Sequence, residues 1–343
     1  MIHVQENFSL KKHNTFGVSA FAKAYIKTTT LQQLKEAIGY CDSQDLFLLG
    51  GGSNMLIKND IQRTVIHVLL KGKTIIKRHE NKVYLKVMAG ENWHELVLFC
   101  LENNYAGMEN LSLIPGNVGT APIQNIGAYG VELKDIFHSC EVIDIQSLEE
   151  KKLSNADCRF GYRDSIFKNE AREKYVITSV TFELTDLNKT QDYDLKMSYG
   201  AIQQEMTALG GSDTIHKVSQ AVINIRSSKL PDPQEIGNSG SFFKNPVISK
   251  PQYEELKKTY NDIPCYPIDD GNVKIPAGWL IDKSGLKGKR YGDAGIHDKQ
   301  ALVLVNYGDA NGQEILDVAH KVQETVKTKF DIDIQMEVNL IDG

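Results

Sequence analysis

Three short stretches carry side chains with chemistry to offer. In GNSGSFFKNP, residues 237–246, Ser241 stands between a glycine and two phenylalanines, with Lys244 and Asn245 close behind. A GxSxG nucleophile elbow is excluded, because the second glycine of that pattern would fall on Ser241 itself, and no nearby histidine could activate the hydroxyl. Two readings stay open: a turn serine of structural use, or a hydroxyl on a glycine-flexed turn that donates a proton while Lys244 and Asn245 meet an anion. FGYRDS, residues 160–165, sets Arg163 beside Tyr162. Its guanidinium is a natural fork for a carboxylate or phosphate, although most arginines are merely solvated. Glu337, near the C-terminus, reads as an exposed strand residue with a pKa near ~4.3. Only a pocket would raise that value enough to make it a proton donor.

Two other stretches offer main chain. GGGSN, residues 50–54, is no dinucleotide fingerprint, since a GxGxxG from Gly50 would need glycine where Met55 stands. A plain tight turn is one reading. The other is a run of N–H groups from Gly50, Gly51 and Gly52, with Ser53 and Asn54 adding donors, that suits a pyrophosphate. SLIPGNVGTAPIQNIGAYG, residues 112–130, has no charged side chain and is broken repeatedly by glycine and proline. Gly116, Gly119, Gly127 and Gly130 let main chain approach a flat or anionic ligand, while Pro115 and Pro122 stiffen the path. Thr120, Gln124 and Asn125 supply directed hydrogen bonds beside a largely neutral ring system. The alternative, a buried loop with no ligand, would strand many polar backbone groups.

These stretches need elements to hold them. Residues 21–28 read as a strand, 31–41 as a helix after Thr30 and 45–50 as a returning strand, so the glycine turn follows a β-α-β start. KTIIKRH and KVYLKVMAG form a hairpin, and NWHELVLFCLENN is a helix leading into the neutral stretch. EVIDI and YVITSVTFEL are further strands, and residues 213–226 are helical. The prolines and glycines of residues 228–246 mark a break. Beyond it come helices at PQYEELKK and AGWLIDKSG, a strand at 300–306, and a long amphipathic helix with Ile315, Val318, Val322 and Val326 on one side. The chain closes on a strand in which Ile332, Ile334, Met336, Val338 and Leu340 alternate with polar residues, so that Glu337 points away from the core.

The 343 residues suggest two domains, with room for a small third. At 41% hydrophobic and 24% charged, with a net charge of −5, the composition is ordinary for a globular protein and lacks the basic stripe of a nucleic-acid binder. No stretch has the apolar length of a signal peptide or membrane span, so a cytoplasmic protein is expected, with neither a nucleic-acid nor a membrane partner. The five cysteines form no CxxC pair and are expected as buried thiols. The nine histidines show no ligand spacing, and no metal is expected.

Taken together, HNTFG, GGGSN, IPGNVGTAPIQNIGAYGVEL, FGYRDSIFK, SKLPDP, GNSGSFFKNP, PAGWLIDKSGLKG, QALVLVN and the terminal MEV resemble, in order and over almost the full length, the UDP-N-acetylenolpyruvoylglucosamine reductase family. The resemblance implies an α+β, three-domain FAD-binding fold of the vanillyl-alcohol-oxidase (PCMH) type with a separate substrate-binding domain. Residues 1–70, completed by 331–343, and residues 71–224 would hold non-covalent FAD, and residues 225–330 the nucleotide sugar. GGGSN and the 115–130 stretch, including Ala128 and Tyr129, would line the FAD. Ala121 stands where relatives often have serine, so one hydroxyl contact to the cofactor would be missing. NADPH would be the co-substrate and UDP-N-acetylglucosamine enolpyruvate the substrate, turned over by a monomer. Ser241 would be the proton donor, with Arg163 and Glu337 at the enolpyruvyl carboxylate. Lys229 and Asn245 would contact the diphosphate, Gln300 falls in the substrate region, and Tyr199 is similar to the tyrosine of a subgroup whose extra loop covers the substrate. A flavin oxidase or a non-catalytic binder are the competing classes.

Overall fold

Capping and alternation place most elements where the sequence puts them. The computed structural model describes residues 1–42 and 44–343. Thr30 accepts the Gln33 N–H at 3.1 Å and starts the Leu31–Tyr40 helix; Asn92 accepts the Glu95 N–H at 3.0 Å and starts Trp93–Glu102. Each side chain satisfies one amide that a first helical turn leaves without a partner. The Gly312–Phe330 helix opens on a capping box between Asn311 and Glu314 and buries Ile315, Val318, Val322 and Val326, as its spacing requires.

The chain divides into two compact units. The first comprises Met1–Phe8, Ala22–Gly51 and Gln62–Ser228. Its larger sheet has the order Glu150–Ser154, Phe137–Asp144, Tyr175–Asp186, Lys82–Met88, Lys73–His79, with Tyr105–Ala106 also paired to Tyr175–Asp186. The expected hairpin is the antiparallel pair at one edge of this sheet. The Trp93–Glu102 helix packs Trp93, Leu96, Val97 and Cys100 into the core beside Val83, Leu85, Val180 and Phe182. A second sheet orders Val4–Ser9, Phe21–Thr28, Ile61–Val68 and Leu46–Leu49, the last two parallel. Its core is Ile26, Leu34, Ile38 and Ile66.

The second unit comprises Ser9–Phe21, Gly52–Ile61 and Lys229–Gly343. Its four-stranded sheet runs Gly237–Ser241, Val303–Asn306, Ala294–Ile296, Arg290–Tyr291, and its core joins the long C-terminal helix to Phe242, Phe243, Leu280 and Ile281. The HNTFG segment is built into this unit. The Asn238 N–H donates to the Thr15 carbonyl at 2.9 Å and the Asn306 amide to the Phe16 carbonyl at 3.0 Å.

Two expected elements differ, and so does the burial of two cysteines. The strand anticipated at 300–306 is Val303–Asn306 only, because the Val303 N–H closes a turn onto the Gln300 carbonyl at 3.0 Å. The terminal segment is not one continuous strand. Met336 makes a single bridge to Phe243, and Asn339–Ile341 then pairs in parallel with Met55–Ile57. Because the partner changes along the segment, the alternation fails at its end: Ile332, Ile334 and Val338 are buried, Met336 is half-buried and Leu340 is exposed. Cys41 and Cys265 are half-buried, unlike Cys100, Cys140 and Cys158. Among the described residues no helix is long and apolar enough to cross a membrane.

Candidate flavin and substrate site

In the first unit the glycine turn lies against the neutral stretch. A Cβ on Gly51 would stand 2.7 Å from the Gly116 Cα and 3.0 Å from the Asn117 nitrogen. One on Gly119 would stand 2.5 Å from the Ala89 Cβ, and one on Gly50 would strike the Thr120 methyl. These positions are glycine because chain packs on chain in the direction a side chain would take. In the second unit Gly52, at φ +63°, would drive a Cβ into the His13 carbonyl. Gly130 differs: its φ is +83° and nothing stands within 4 Å.

The neutral stretch is also better satisfied than its interruptions suggest. It contains the 3₁₀ turn Val118–Thr120 and a short antiparallel pair, Gly127–Ala128 with Val131–Glu132. The Val118 and Gly119 N–H groups donate to the Glu91 and Ala89 carbonyls, both at 2.9 Å. The Leu113 N–H donates to the His94 Nδ1 at 3.0 Å. Asn125 is fully buried, and its side chain is spent on the protein: it donates to Gly161 O and Glu132 Oε2 and accepts from the Lys134 N–H. Asn125 therefore fastens the loop with both of its amide protons. The Thr120 hydroxyl likewise donates to the Asn117 carbonyl at 2.8 Å.

What the stretch presents is a run of half-exposed, uncharged residues, among them Gly116, Gly119, Gln124, Ala128 and Tyr129, with Ala121 buried beneath. Leu113, Asn125 and Tyr129 hold positive φ without being glycine. Such conformations cost roughly 1–2 kcal/mol each, and strain of this kind is held where surrounding structure fixes a backbone for use. A neutral, side-chain-poor surface of this type fits a flat flavin ring.

Arg163, itself at φ +54°, closes one end of this surface. Its Nη2 donates to the Gly127 carbonyl at 2.8 Å, and its guanidinium lies 5.9 Å from the Tyr162 ring centroid. A Cβ on Gly127 would sit 3.0 Å from both the Glu132 Cγ and the Val131 carbonyl oxygen, so the paired segment is what leaves it no side chain. Sequence reasoning missed a second guanidinium. Arg226, on the Ile215–Lys229 helix, has its Nε buried with no partner among the described residues. Burial pushes its pKa down; the Tyr129 hydroxyl opposes this and the Arg163 charge adds to it. The available signal was its position one helical turn after buried Val222, on the apolar face of an amphipathic helix. Tyr199, at the start of the Gly200–Leu209 helix, meets Tyr129 edge-on with ring centroids 5.5 Å apart.

In the second unit Ser241 ends the Gly237–Ser241 strand, where a turn serine was expected. The register slips between Asn238 and Ser241, with Gly240 at φ +69°, a bulge after which the exposed Ser241 pairs with Val303 as the last residue of the strand. The chain around Glu337 runs beside the next residues. The Glu337 N–H donates to the Phe242 carbonyl at 2.8 Å, and the Lys244 N–H to the Gln335 carbonyl at 2.9 Å. The Asn54 carbonyl of the GGGSN turn, after half-buried Ser53, accepts from the Asn339 side chain at 2.8 Å. Asn245 Oδ1 accepts the Ala277 N–H at 2.9 Å, and Gln300 Oε1 lies 3.2 Å from where a Gly278 Cβ would stand. Both side chains thus gather at the start of the Ala277–Lys283 helix. Lys229, the last residue of its helix, is exposed.

Two family models match the chain: an FAD binding domain over residues 22–147, and the C-terminal domain of UDP-N-acetylenolpyruvoylglucosamine reductase over residues 232–341. The UDP-N-acetylenolpyruvoylglucosamine reductase of Flavobacterium johnsoniae is 52% identical over 99% of this chain and 100% of its own length. That of Pseudomonas savastanoi pv. phaseolicola is 44% identical over 99% of each. The crystal structure of the Thermus caldophilus enzyme covers 100% of both chains at a TM-score of 0.69 and 23% identity. The α+β flavin fold of the vanillyl-alcohol-oxidase type is therefore the one the sequence led us to expect. Matched from end to end by such relatives, the chain belongs to the UDP-N-acetylenolpyruvoylglucosamine reductase family.

Proposed function

We propose that the protein reduces UDP-N-acetylglucosamine enolpyruvate to UDP-N-acetylmuramate, a step of peptidoglycan precursor synthesis, with FAD and NADPH. The cofactor supplies a hydride, received from NADPH, to the methylene carbon of the enolpyruvyl double bond. Charge then develops on the substrate carboxylate. Arg163 offers it a fixed guanidinium, and Glu337, where protonated, a hydrogen bond. Ser241 delivers the proton to the neighbouring carbon and is reprotonated from solvent, so one hydride and one proton are added across the double bond. The observation that supports the roles of Ser241 and Glu337 is the backbone pairing that sets their two segments side by side.

In the same reading, Gly50 to Asn54 and residues 115–130 line the cofactor, with Asn125 acting as their fastener. Lys229 and Asn245 meet the diphosphate, Gln300 the sugar region, and Tyr199 covers the substrate. Residues 1–70 with 331–343, and 71–224, form the FAD-binding parts, and 225–330 the substrate-binding part. The enzyme works as a monomer in the cytoplasm, which light scattering should register as the mass of one chain. The test of the activity is anaerobic: NADPH should bleach the bound flavin, and the enolpyruvyl substrate should restore its colour without oxygen. Recolouring only when oxygen is admitted would mark an oxidase instead.

Arg226 joins this set as a second cation for the substrate's anionic groups. A buried N–H without a partner is costly, so Arg226→Met, which removes the Nε, should leave the ligand-free protein as stable or more so, by up to about 1 kcal/mol. The same change should weaken substrate binding about 10- to 100-fold, the loss expected for a hydrogen bond to a charged group. Thermal melts with and without substrate would separate the two effects. A melting temperature that falls while substrate affinity holds would make Arg226 a structural residue.

A further inference from the structure

Tyr199 is carried by an irregular segment, residues 187–199, between the Tyr175–Asp186 strand and the Gly200–Leu209 helix. Two neighbouring residues grip it from below. Glu109 and Asn110 lie in a 3₁₀ turn just before the neutral stretch, each 1% exposed. Glu109 accepts the Tyr193 hydroxyl on Oε1 at 2.6 Å and the Gly107 N–H on Oε2 at 2.7 Å. The Asn110 side-chain amide donates one proton to the Lys196 carbonyl at 2.8 Å and the other to the Tyr129 carbonyl at 3.1 Å. Two carbonyl acceptors leave no doubt which end of the amide carries the protons. The Asn110 oxygen is buried with no partner among the described residues. That arrangement is costly, and an apolar side chain would avoid it.

One amide therefore ties the Tyr129 main chain to the segment that carries Tyr199, and the two rings meet edge-on three residues further along that segment. Leu195 and Met197 pack beside Tyr129 on a small apolar cluster of Ile202, Met206 and Val222. We propose that Glu109 and Asn110 are positioning residues for substrate closure: they hold residues 193–196 against the flavin-facing chain, so that Tyr199 is presented at a fixed place. This deepens, and rests on, the substrate role given to Tyr199.

The test uses Asn110→Leu, close in shape but without the two donors, and Tyr193→Phe, which removes the hydroxyl held by Glu109. Amide hydrogen exchange in residues 190–199 should quicken about tenfold in either variant, the scale of one lost hydrogen bond. KM for the enolpyruvyl substrate should rise about tenfold with kcat and the flavin spectrum nearly unchanged. Added to Tyr199→Ala, either change should raise KM no further, because both act through the same side chain. Unchanged exchange, or effects on KM that simply add, overturns the proposal. Faster exchange with KM unmoved in every variant, Tyr199→Ala included, also overturns it and removes the substrate role of Tyr199 as well. Unchanged exchange beside a raised KM in Tyr199→Ala sinks the clamp alone. Should Asn110→Leu fail to fold, Tyr193→Phe carries the same readouts.

Discussion

Ser241→Ala should reduce its flavin with NADPH at nearly the wild-type rate, yet pass those electrons to the enolpyruvyl substrate about 10²–10⁴ times more slowly, the range for loss of a placed general acid. The asymmetry follows from the chemistry. Only the second half-reaction needs a proton delivered to carbon. The substitution is mild for the fold: Ser241 is exposed, at the end of a strand and beyond a bulge, and its side chain supports no packing as Phe242 and Phe243 do. Stopped-flow absorbance of the two half-reactions measures each separately. Equal slowing of both would assign Ser241 to the structure, and a substrate half-reaction at full rate would remove it as the proton donor. Cysteine at the same position offers a sharper acid in the same place, so Ser241→Cys should recover part of the lost rate.

Much of this fold was legible because it rests on local rules. Thr30 and Asn92 announce their helices, the period of the 312–330 helix names its buried face, and the 73–88 hairpin reads from two alternating runs. The failures have a common origin in tertiary choice. The terminal segment has the alternation of a strand but takes two different partners in succession, and no single-chain pattern encodes where that change falls. Ser241 was read as a turn residue because bulges depend on the opposite strand, here Val303–Asn306.

The site shows the same division. Types were readable: a glycine turn, an uncharged stretch, a forked cation, an isolated hydroxyl. Their reasons were not. Gly50 and Gly51 read as N–H donors and Gly119 as a place where main chain approaches a ligand, and the sequence hid a further reason for them: a Cβ there would meet Thr120, Gly116 or Ala89. Asn125 looked like a donor awaiting a cofactor, and its amide is consumed by Gly161, Glu132 and Lys134. Arg226 was invisible because a charged residue at a helix end is ordinarily solvated, and only the fold reveals that its Nε is buried.

That further reason for the glycines has a severe consequence for Gly51→Ala. One methyl group there would sit 2.7 Å from the Gly116 Cα and 3.1 Å from the Gly116 carbonyl carbon, both main-chain atoms that cannot swing aside. The glycine turn and the neutral stretch must then part. Overpacking of this kind costs about 1–3 kcal/mol, which lowers the melting temperature by roughly 1–4 °C for a chain of this size. The loss of cofactor should be larger than the loss of stability, because a displacement between the two stretches moves both proposed linings of the flavin at once. Gly51→Ala should therefore purify largely colourless, with FAD affinity reduced about 100-fold or more. Gly130→Ala is the contrast. Open space surrounds that position, and only its φ of +83° resists a side chain, at a cost of about 1–2 kcal/mol. It should stay yellow. If Gly51→Ala retains flavin as well as Gly130→Ala does, the packing of turn on stretch is not what shapes the cofactor surface, and Gly51 would keep only its first reading, as an N–H donor to the ligand.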